Sequence, residues 1–559
     1  MRPFAVLDSE TDPFLKGRIP EPFVWGFYDG REFRHYVHDS FHSFIQWIAE
    51  QRIIVYAHNG GKFDYHFMLP YMEPYDSVKI INGRIAQFFI GNAEFRDSIN
   101  ILPVALKKFE LQDVHGNTIK KQEFDYSLME KEERYKPDNW ESIIDYLRDD
   151  CVTLYEAIKA FQSQYGRHLT QAGAAMSQWK KISKRQLPKS TGEYFEKFKS
   201  YYYGGRVQCF QRGIIENNFS VFDINSAYPY AMLSQHPYGL ESIEATGDEI
   251  GTNFFGYAFY TIRARSLGAF PYREKTGLVF PEDGEIREFN VTGWELLAAI
   301  ETDSAKDLEV LKEIRHIELQ DFAEYIDHFY QQRLTAKAVG DKAGDLFAKF
   351  LMNSLYGKFG ANPENYANYV ILPPEELQGL LDPSNDYELS GELGPWLLAE
   401  RELEDEEMRY YNVATAASIT GYVRAYLWRS ICLTGIHNCL YCDTDSIATV
   451  SPGNELDIGN GLGKWKHEGE FTRAGIGGKK MYVFEHKQPY PKNPETGKPI
   501  RYKTASKGVS LTPEQLFKVA EGETVIHEPD APSFSVHRPL RDKGGNPQCF
   551  ISRKIKLTL

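Results

Sequence analysis

The chain has 559 residues, with 64 Lys+Arg against 78 Asp+Glu for a formal net charge of −14, and is 42% hydrophobic and 25% charged. Those proportions fit a multidomain globular protein and exclude a disordered or fibrous chain. With no apolar run of the roughly 18 residues a membrane span needs, no secretory leader pattern and only six cysteines, the expectation is a soluble, intracellular protein that is not secreted, and the acidic total weighs against a nucleic-acid binder.

Residues 1–10 read as a short apolar strand ending in acids. SFHSFIQWIAEQR carries a helical pattern and IIVYAH a buried-strand pattern. A long helix is expected over about 141–164, and the alternation predicts an α/β domain ending near residue 165. Residues 166–200 are basic and polar and read as a link. SVFDINSAYPYAM reads as strand, turn and helix, with Pro229 suited to a helix start. Residues 323–360 read as one or two long helices, and CLYCDTDSIATV as two short strands around an acidic turn. From about Leu511 the chain reads as a small separate tail domain. One segment breaks the composition: residues 361–412 hold 13 acids against Arg401 and Arg409, a local charge of −11. That leaves −14 − (−11) = −3 for the other 507 residues, so the global charge is a local property.

Three acidic or mixed motifs carry chemistry. In YCDTDS, Asp443 and Asp445 sit two apart in a tight turn; crowded carboxylates repel, and a hard divalent cation relieves the repulsion. A solvated turn is the plain alternative. In DINSAYP, Asp223 follows an apolar strand, where it is either a helix cap or a third carboxylate aimed out of a core sheet. If Asp223 and Asp445 converge, they could hold two Mg²⁺ about 3.5–4 Å apart for in-line phosphoryl displacement. In KFLMNSLYG, Lys349, Asn353 and Tyr356 share one helical stripe, with Lys337 twelve residues earlier on much the same side. A cation, an amide and a ring in one row suit triphosphate and base contacts, although an amphipathic surface helix reads the same way. CLYC has no second cysteine pair or histidine cluster, and its thiols are expected in the core rather than on zinc. His58 is likewise expected in core packing and Asp12 as a solvated acid.

The series DxxSxYP, KxxxNSxYG and YxDTDS, in that order, resembles the polymerase motifs of family B DNA polymerases. LDSETD (Asp8, Glu10), HNGGKFD (Asn59, Phe63, Asp64) and YLRDD (Tyr146, Asp150) resemble the three motifs of the DEDD-type 3′–5′ exonuclease that accompanies such enzymes. The resemblance covers nearly the whole chain. It implies a mixed α/β and α+β multidomain fold, with a ribonuclease H-like exonuclease domain beside a right-hand polymerase of palm, fingers and thumb. In the polymerase site it implies catalytic Asp223, Asp443 and Asp445, metal ligands at Asp223, Ile224 and Asp445, and nucleotide contacts from Tyr228, Lys337, Lys349, Asn353 and Tyr356. Tyr228 would lie under the sugar and exclude a ribose 2′-OH. In the exonuclease site it implies Asp8, Glu10, Asp64 and Asp150 on two Mg²⁺ or Mn²⁺ ions, with Tyr146 positioning the attacking water. Thr11, Asn59 and Phe63 would hold the frayed 3′ end, Phe63 by stacking, and Ser98 and Lys131 resemble weaker single-strand ligands.

Spacing selects the branch. The first exonuclease carboxylate is already at position 8, about 120 residues separate Asp223 from Lys349, and over 80 separate Gly357 from Asp443. The protein-primed branch carries insertions at these two places, the first contacting the terminal protein and the second enclosing downstream template. YYGG (Tyr202, Gly204, Gly205) and KKMYVF (Lys480, Tyr482) resemble that branch's DNA-gripping motifs, with Thr444 beside them in the acidic turn. The expected layout is exonuclease 1–165, linker and first palm part 166–237, first insertion 238–322, fingers 323–360, second insertion 361–412, second palm part 413–507 and thumb 508–559. The implied protein is a processive, strand-displacing monomer acting on template-primer DNA and dNTPs with a terminal protein primer. It would replicate a viral or linear-plasmid genome, in the host cytoplasm if phage-encoded. The alternatives are initiation without a protein primer and a nuclease whose polymerase-like half only binds DNA. The acidic second insertion departs from the branch, because acids lining a DNA channel would repel phosphate. It is expected to close on template through its apolar and aromatic part, with ELEDEEM outside.

Overall fold

The computed structural model describes residues 2–557 apart from 113–116, 364–365, 381, 383–385, 405–406, 495, 540, 543 and 545. Asp405 and Glu406 of ELEDEEM thus lie outside the described residues. Among those described, no helix is long and apolar enough to cross a membrane.

The N-terminal domain opens with strands β1 (Phe4–Thr11), β2 (Pro22–Tyr28) and β3 (Phe33–Val37), helix α1 (His38–Ala49) and strand β4 (Ile54–Ala57). It continues through β5 (Ser77–Ile81), β6 (Arg84–Ile90), β7 (Ala93–Asp97) and the long helix α2 (Pro137–Tyr165). β4 runs parallel to both β1 and β7, so β4 and the first half of β1, Phe4–Leu7, are continuous apolar runs. Pro137 starts α2 in the first turn, where a missing N–H costs nothing, and Leu147, Leu154, Ile158 and Phe161 bury one stripe. The long helix thus ends at Tyr165, close to the expected residue 164.

Residues 166–200 are more than a link. They form α3 (Gln171–Ser183) and α4 (Gly192–Lys199), each capped by a threonine hydroxyl, Thr170 and Thr191. Trp179 of α3 is fully buried against Phe322 and Phe359. Basic residues on the exposed faces masked two short amphipathic helices.

The central sheet is built from β8 (Val207–Cys209) and β9 (Gly213–Ile224), followed by α5 (Ala227–Ala231). The first insertion then folds as β10 (Ser242–Thr246), β11 (Phe259–Ser266), β12 (Ile286–Thr292), α6 (Gly293–Glu301) and β13 (Ala305–His316), a sheet of order β10-β13-β11-β12. Residues 323–360 form two helices, α7 (Ala323–Val339) and α8 (Lys342–Phe359), which Gly340 joins at φ +75°. Lys337 and Lys349 therefore belong to different helices and not to one stripe.

The second insertion contributes β14 (Ala367–Leu372), β15 (Glu388–Leu393) and β16 (Trp396–Glu402). Through Tyr369 opposite Val78 and Val370 opposite Ser77, β14 pairs with β5, and the result is one ten-stranded sheet of order β15-β16-β14-β5-β6-β7-β4-β1-β2-β3. Ile371, Leu393 and Leu398 enter the N-terminal core, and Trp396 Nε1 donates to Leu69 O at 2.8 Å. Part of the insertion's apolar set is thus spent on the N-terminal domain, while Tyr366, Tyr369, Val370 and Tyr387 line a cavity. The described acids do lie outside: Glu375, Glu376, Glu388, Glu392, Glu402 and Glu404 are all exposed.

Helix α9 (Val413–Thr434), strands β17 (Cys439–Asp443), β18 (Ser446–Thr449), β19 (Trp465–Gly478), β20 (Met481–His486) and β21 (Tyr502–Ser506) complete the central sheet, of order β8-β17-β18-β9-β19-β20-β21. Cys439 and Cys442 are buried and free, the expected core thiols. The last residues are not one separate unit. Helix α10 (Pro513–Ala520) packs Leu516 and Phe517 on Val483 of the central sheet. Further on, Phe534 packs on Phe63 and Phe67, and Val536 enters the N-terminal core. So few apolar residues cannot bury a core of their own.

Candidate functional site

Two carboxylate centres emerge. In the first, β1 delivers Asp8 and Glu10 from one face of the strand to α2, whose Asp150 lies one turn beyond Tyr146. Ligand oxygens of Asp8, Glu10 and Asp150 all lie within 4.8 Å of one another, and this is the only such group among the described residues. Burial, then the charges of Asp64 and Asp150, hold the Asp8 carboxyl well above its ordinary value, and burial followed by Asp8 does the same for Glu10. Burial also raises Asp150, whose Oδ1 is buried without a hydrogen-bond partner. An orphaned carboxylate oxygen among three crowded carboxylates is the donor set a hard divalent cation takes. Asp64 is adjacent rather than inside the trio: Ser9 Oγ donates to it at 2.5 Å, and burial lifts its carboxyl to about 6.

Tyr146 stacks on Phe124 with centroids 4.4 Å apart and shares a 2.9 Å hydrogen bond with the Tyr126 hydroxyl. Burial raises its phenol, so it stays a proton donor. Lys121, which sequence reasoning missed, pairs with Asp150 and lies 4.7 Å from the centre of the Tyr146 ring. Burial opposes its charge, but Asp150 and Asp8 outweigh that and hold the ammonium above its usual value. It sits in an irregular stretch after residue 119, where no periodicity marks it.

The expected single-strand ligands are placed unevenly. Asn59 is exposed at φ +62°, its Oδ1 accepting from Arg84 at 2.8 Å. Phe63 is half-buried, with Phe534 stacked at 5.4 Å and Phe14 edge-on at 5.5 Å. Thr11 is buried and its hydroxyl donates to Asp12 O at 3.1 Å. Ser98 is fully buried, donating to Ala57 O and bonded to His58, so it braces the loop from inside. His58 is half-buried and bonded to Ser98 and Val104 O, its imidazole lowered to about 4 by burial. Lys131 is exposed beside Glu21. Asp12 is not a solvated acid: it is buried in an ion pair with Arg134 at 2.5 Å, the buried cation demanding a partner.

The second centre lies on the central sheet. Asp223 ends β9 opposite Ser446, and Ile224 N donates to Asp445 O at 2.8 Å, which brings the Asp223 strand end beside the Asp443–Asp445 turn. Burial and then Asp223 push Asp445 up to about 7, while burial and then Glu468 raise Asp223. Lys349 also acts on Asp223, lowering it, which puts the α8 lysine within the field of this centre. Asp443 is held by Lys480 Nζ at 2.8 and 2.9 Å. Thr444 occupies φ +59° and donates through Oγ1 to Asp443 at 3.0 Å. Tyr228 of α5 and Tyr356 of α8 stack face to face, centroids 4.0 Å apart and 9° from parallel. The Asn353 amide turns back to Lys349 O at 2.8 Å, and Lys337 is exposed in the last turn of α7. Tyr482 packs on Tyr441, whose hydroxyl accepts from Lys480 N. Gly204 faces open space, whereas a Cβ on Gly205 would strike Thr444 at 2.6 Å.

Between this centre and the N-terminal domain lies a cavity of about 1160 Å³. It runs from Asn353 and Tyr356 to Asn82, Asn100 and the second insertion at Asn368 and Arg409. Its charged lining among the described residues is Lys79, Lys358 and Arg409, with no acid. The most acidic segment of the chain therefore presents a cation, not a carboxylate, to this space.

A family model described as DNA polymerase type B, organellar and viral, matches residues 128–391. The DNA-directed DNA polymerase of Enterobacteria phage PRD1 is 35% identical, over 99% of this chain and 98% of that one. The DNA polymerase of Bacillus phage phi29 is 26% identical over 80% of each. A solved structure of phi29 DNA polymerase with primer-template DNA and incoming nucleotide superposes with a TM-score of 0.73 at 20% identity, covering all of both chains.

Proposed function

As a member of the protein-primed-type family B DNA polymerases, this chain is a DNA-directed DNA polymerase, and we propose that it also proofreads 3′ ends, displaces the non-template strand and starts synthesis on a terminal protein. The observation that carries the proofreading reading is the trio Asp8, Glu10 and Asp150, a second carboxylate centre on a domain of its own. Mg²⁺ or Mn²⁺, held by Asp8, Glu10, Asp64 and Asp150 in one site and by Asp223, Asp445 and Ile224 in the other, would supply nucleophile activation and charge neutralisation for phosphoryl transfer. Lys121 fixes Asp150 and supports the Tyr146 ring, so the Tyr146 phenol is oriented toward the carboxylates as a neutral donor. At the polymerase centre Lys480 holds Asp443 and Lys349 offers positive charge toward Asp223, where triphosphate would arrive.

The stacked pair Tyr228–Tyr356 supports a sugar-discriminating floor for the incoming nucleotide. Tyr228→Val removes the ring and with it the stack on Tyr356. The expected result is a fall in the dNTP/rNTP selectivity ratio of about 10- to 100-fold, read as kcat/KM for each nucleotide on one template base. An unchanged ratio would remove Tyr228 from that role.

Strand displacement is supported by the cavity, which carries no acid among its described lining residues, leads from Tyr356 under the second insertion and suits a template strand entering alone. Protein priming is supported by the folded first insertion at 242–316, with its own sheet and helix. It is tested by incubating template, labelled dNTP and a candidate terminal protein without a nucleic-acid primer. Label transferred to the protein is the expected outcome; labelled free products alone would favour primer-independent initiation.

A further inference from the structure

Residues 202–207, YYGGRV, form a strap beneath the Asp443–Asp445 turn. Val207 pairs with Asp443, Arg206 O accepts from Thr444 N at 2.6 Å, and Gly205 leaves the space that the Thr444 side chain fills. Thr444 is a β-branched residue in the left-handed region, a conformation that persists only where its surroundings over-determine it. The strap supplies those surroundings.

What holds the strap is the first insertion. Three consecutive carbonyls are engaged: Tyr202 O accepts from Arg273, and Tyr203 O and Gly204 O accept from Arg424 Nη1 at 2.6 and 2.9 Å. Arg273 belongs to the insertion. Arg424, on α9, is fixed by the insertion's Glu295, whose Oε1 accepts from Arg424 Nε at 2.7 Å with both side chains at most 2% exposed. The other oxygen of Glu295 accepts from Thr292 N and Oγ1 at 2.9 and 2.8 Å, closing the capping box of α6. The Tyr203 ring centre lies 5.0 Å from the Arg273 guanidinium and 5.5 Å from that of Arg424. Arg206 is buried and donates to Gly268 O at 2.8 Å, its guanidinium 4.2 Å from Phe280 and 4.3 Å from Trp428.

We propose that the first insertion, through Glu295–Arg424 and Arg273, positions the strap and with it the Asp443–Asp445 turn during synthesis on ordinary DNA primers. Glu295 and Arg273 are positioning residues of the polymerase reaction, and the insertion is part of the polymerising centre as well as a place for a partner. A buried arginine with two backbone carbonyls and one carboxylate has a defined orientation; removing the carboxylate frees it and strands its charge. The strap then loses two of its three anchors at once.

The proposal rests on reading the Asp443–Asp445 turn as the polymerase centre, which Asp445→Asn tests separately. Its own test is single-nucleotide extension of a primer-template by the full chain, with kcat and KM for the dNTP measured beside melting temperature. Glu295→Ala is expected to lower kcat about 100-fold while KM moves less than about 3-fold, and Glu295→Gln, which keeps an oxygen for Arg424 Nε, to recover most of the loss. Arg273 is exposed, so Arg273→Met leaves the melting temperature unchanged and lowers kcat about 10-fold. A wild-type kcat in Arg273→Met overturns the proposal. So does an equal loss in Glu295→Ala and Glu295→Gln that follows their melting temperatures. Should Glu295→Ala fail to fold, Arg273→Met and Glu295→Gln decide the matter.

Discussion

Asp445→Asn lowers primer extension by about 10³-fold or more and leaves degradation of single-stranded DNA within about twofold, since charge stabilisation of several kcal/mol is lost at one centre only. Asp445 lies at the meeting of the two strand ends, where burial first and Asp223 second push its carboxyl up to about 7. That value gives a second readout. The unfolded chain releases this proton near 3.8, the folded chain near 7, so between those values the native state holds more protons than the unfolded one. In chelator the ionised carboxyl therefore takes stability away as pH rises through that window, by about 4 kcal/mol once above it. The amide variant escapes this penalty. In chelator at pH 8 it should melt above the wild type, and at pH 4 the two should converge. Extension at the wild-type rate, or a lower melting temperature at pH 8, would contradict the role assigned to Asp445.

Asp8→Asn gives the mirror image. Asp8 belongs to the trio within 4.8 Å and is the carboxyl on which Asp64, Asp150 and burial all act. Its loss is expected to reduce 3′–5′ degradation of a labelled single strand by about 10³-fold while matched primer extension stays within about twofold. A mispaired 3′ end would then be extended without being trimmed, so misincorporation rises. The two variants together form a crossed pair: each removes one activity and keeps the other. If Asp8→Asn slowed extension as much as degradation, the two centres would not be independent. The 35% identity, over nearly the full length, to a DNA-directed DNA polymerase supports a working polymerase half over one that merely binds DNA.

What was legible in the sequence follows the range of the physics. Asp443 and Asp445 could be read because two acids in a turn between apolar strands form a local pattern, and Tyr146 and Asp150 because one helical turn fixes their relation. Long-range pairing leaves no such mark. Tyr369 and Val78 are neighbours across nearly 300 residues, and nothing in either strand names its partner. Lys121 stayed hidden because its partners Asp150 and Tyr146 come from another element and its own segment has no period. The twelve-residue spacing of Lys337 and Lys349 suits one side of a continuous helix, and Gly340, at φ +75°, ends that helix between them. The charge argument failed for a different reason: composition counts acids but does not say which way a strand turns them. β14–β16 send Ile371, Leu393 and Leu398 into the N-terminal core and their acids outward, while Arg409, beyond the last of these strands, lines the cavity.

The ten-stranded sheet also bears on how this protein can be cut. β14 caps the start of the free edge of β5, and without it Ser77 and Val78 would display open N–H and C=O groups to any other extended chain. Excision of 361–412 would thus make a self-associating protein as well as one lacking an insertion, and solubility rather than processivity would be the first property to change. Shortening confined to 403–411, beyond the last strand of the insertion, keeps that edge sealed. Circular permutation is constrained in the same way: the N-terminal domain is completed by strands encoded some 300 residues downstream and by Val536 near the chain's end, so it cannot finish folding until most of the polypeptide has been made.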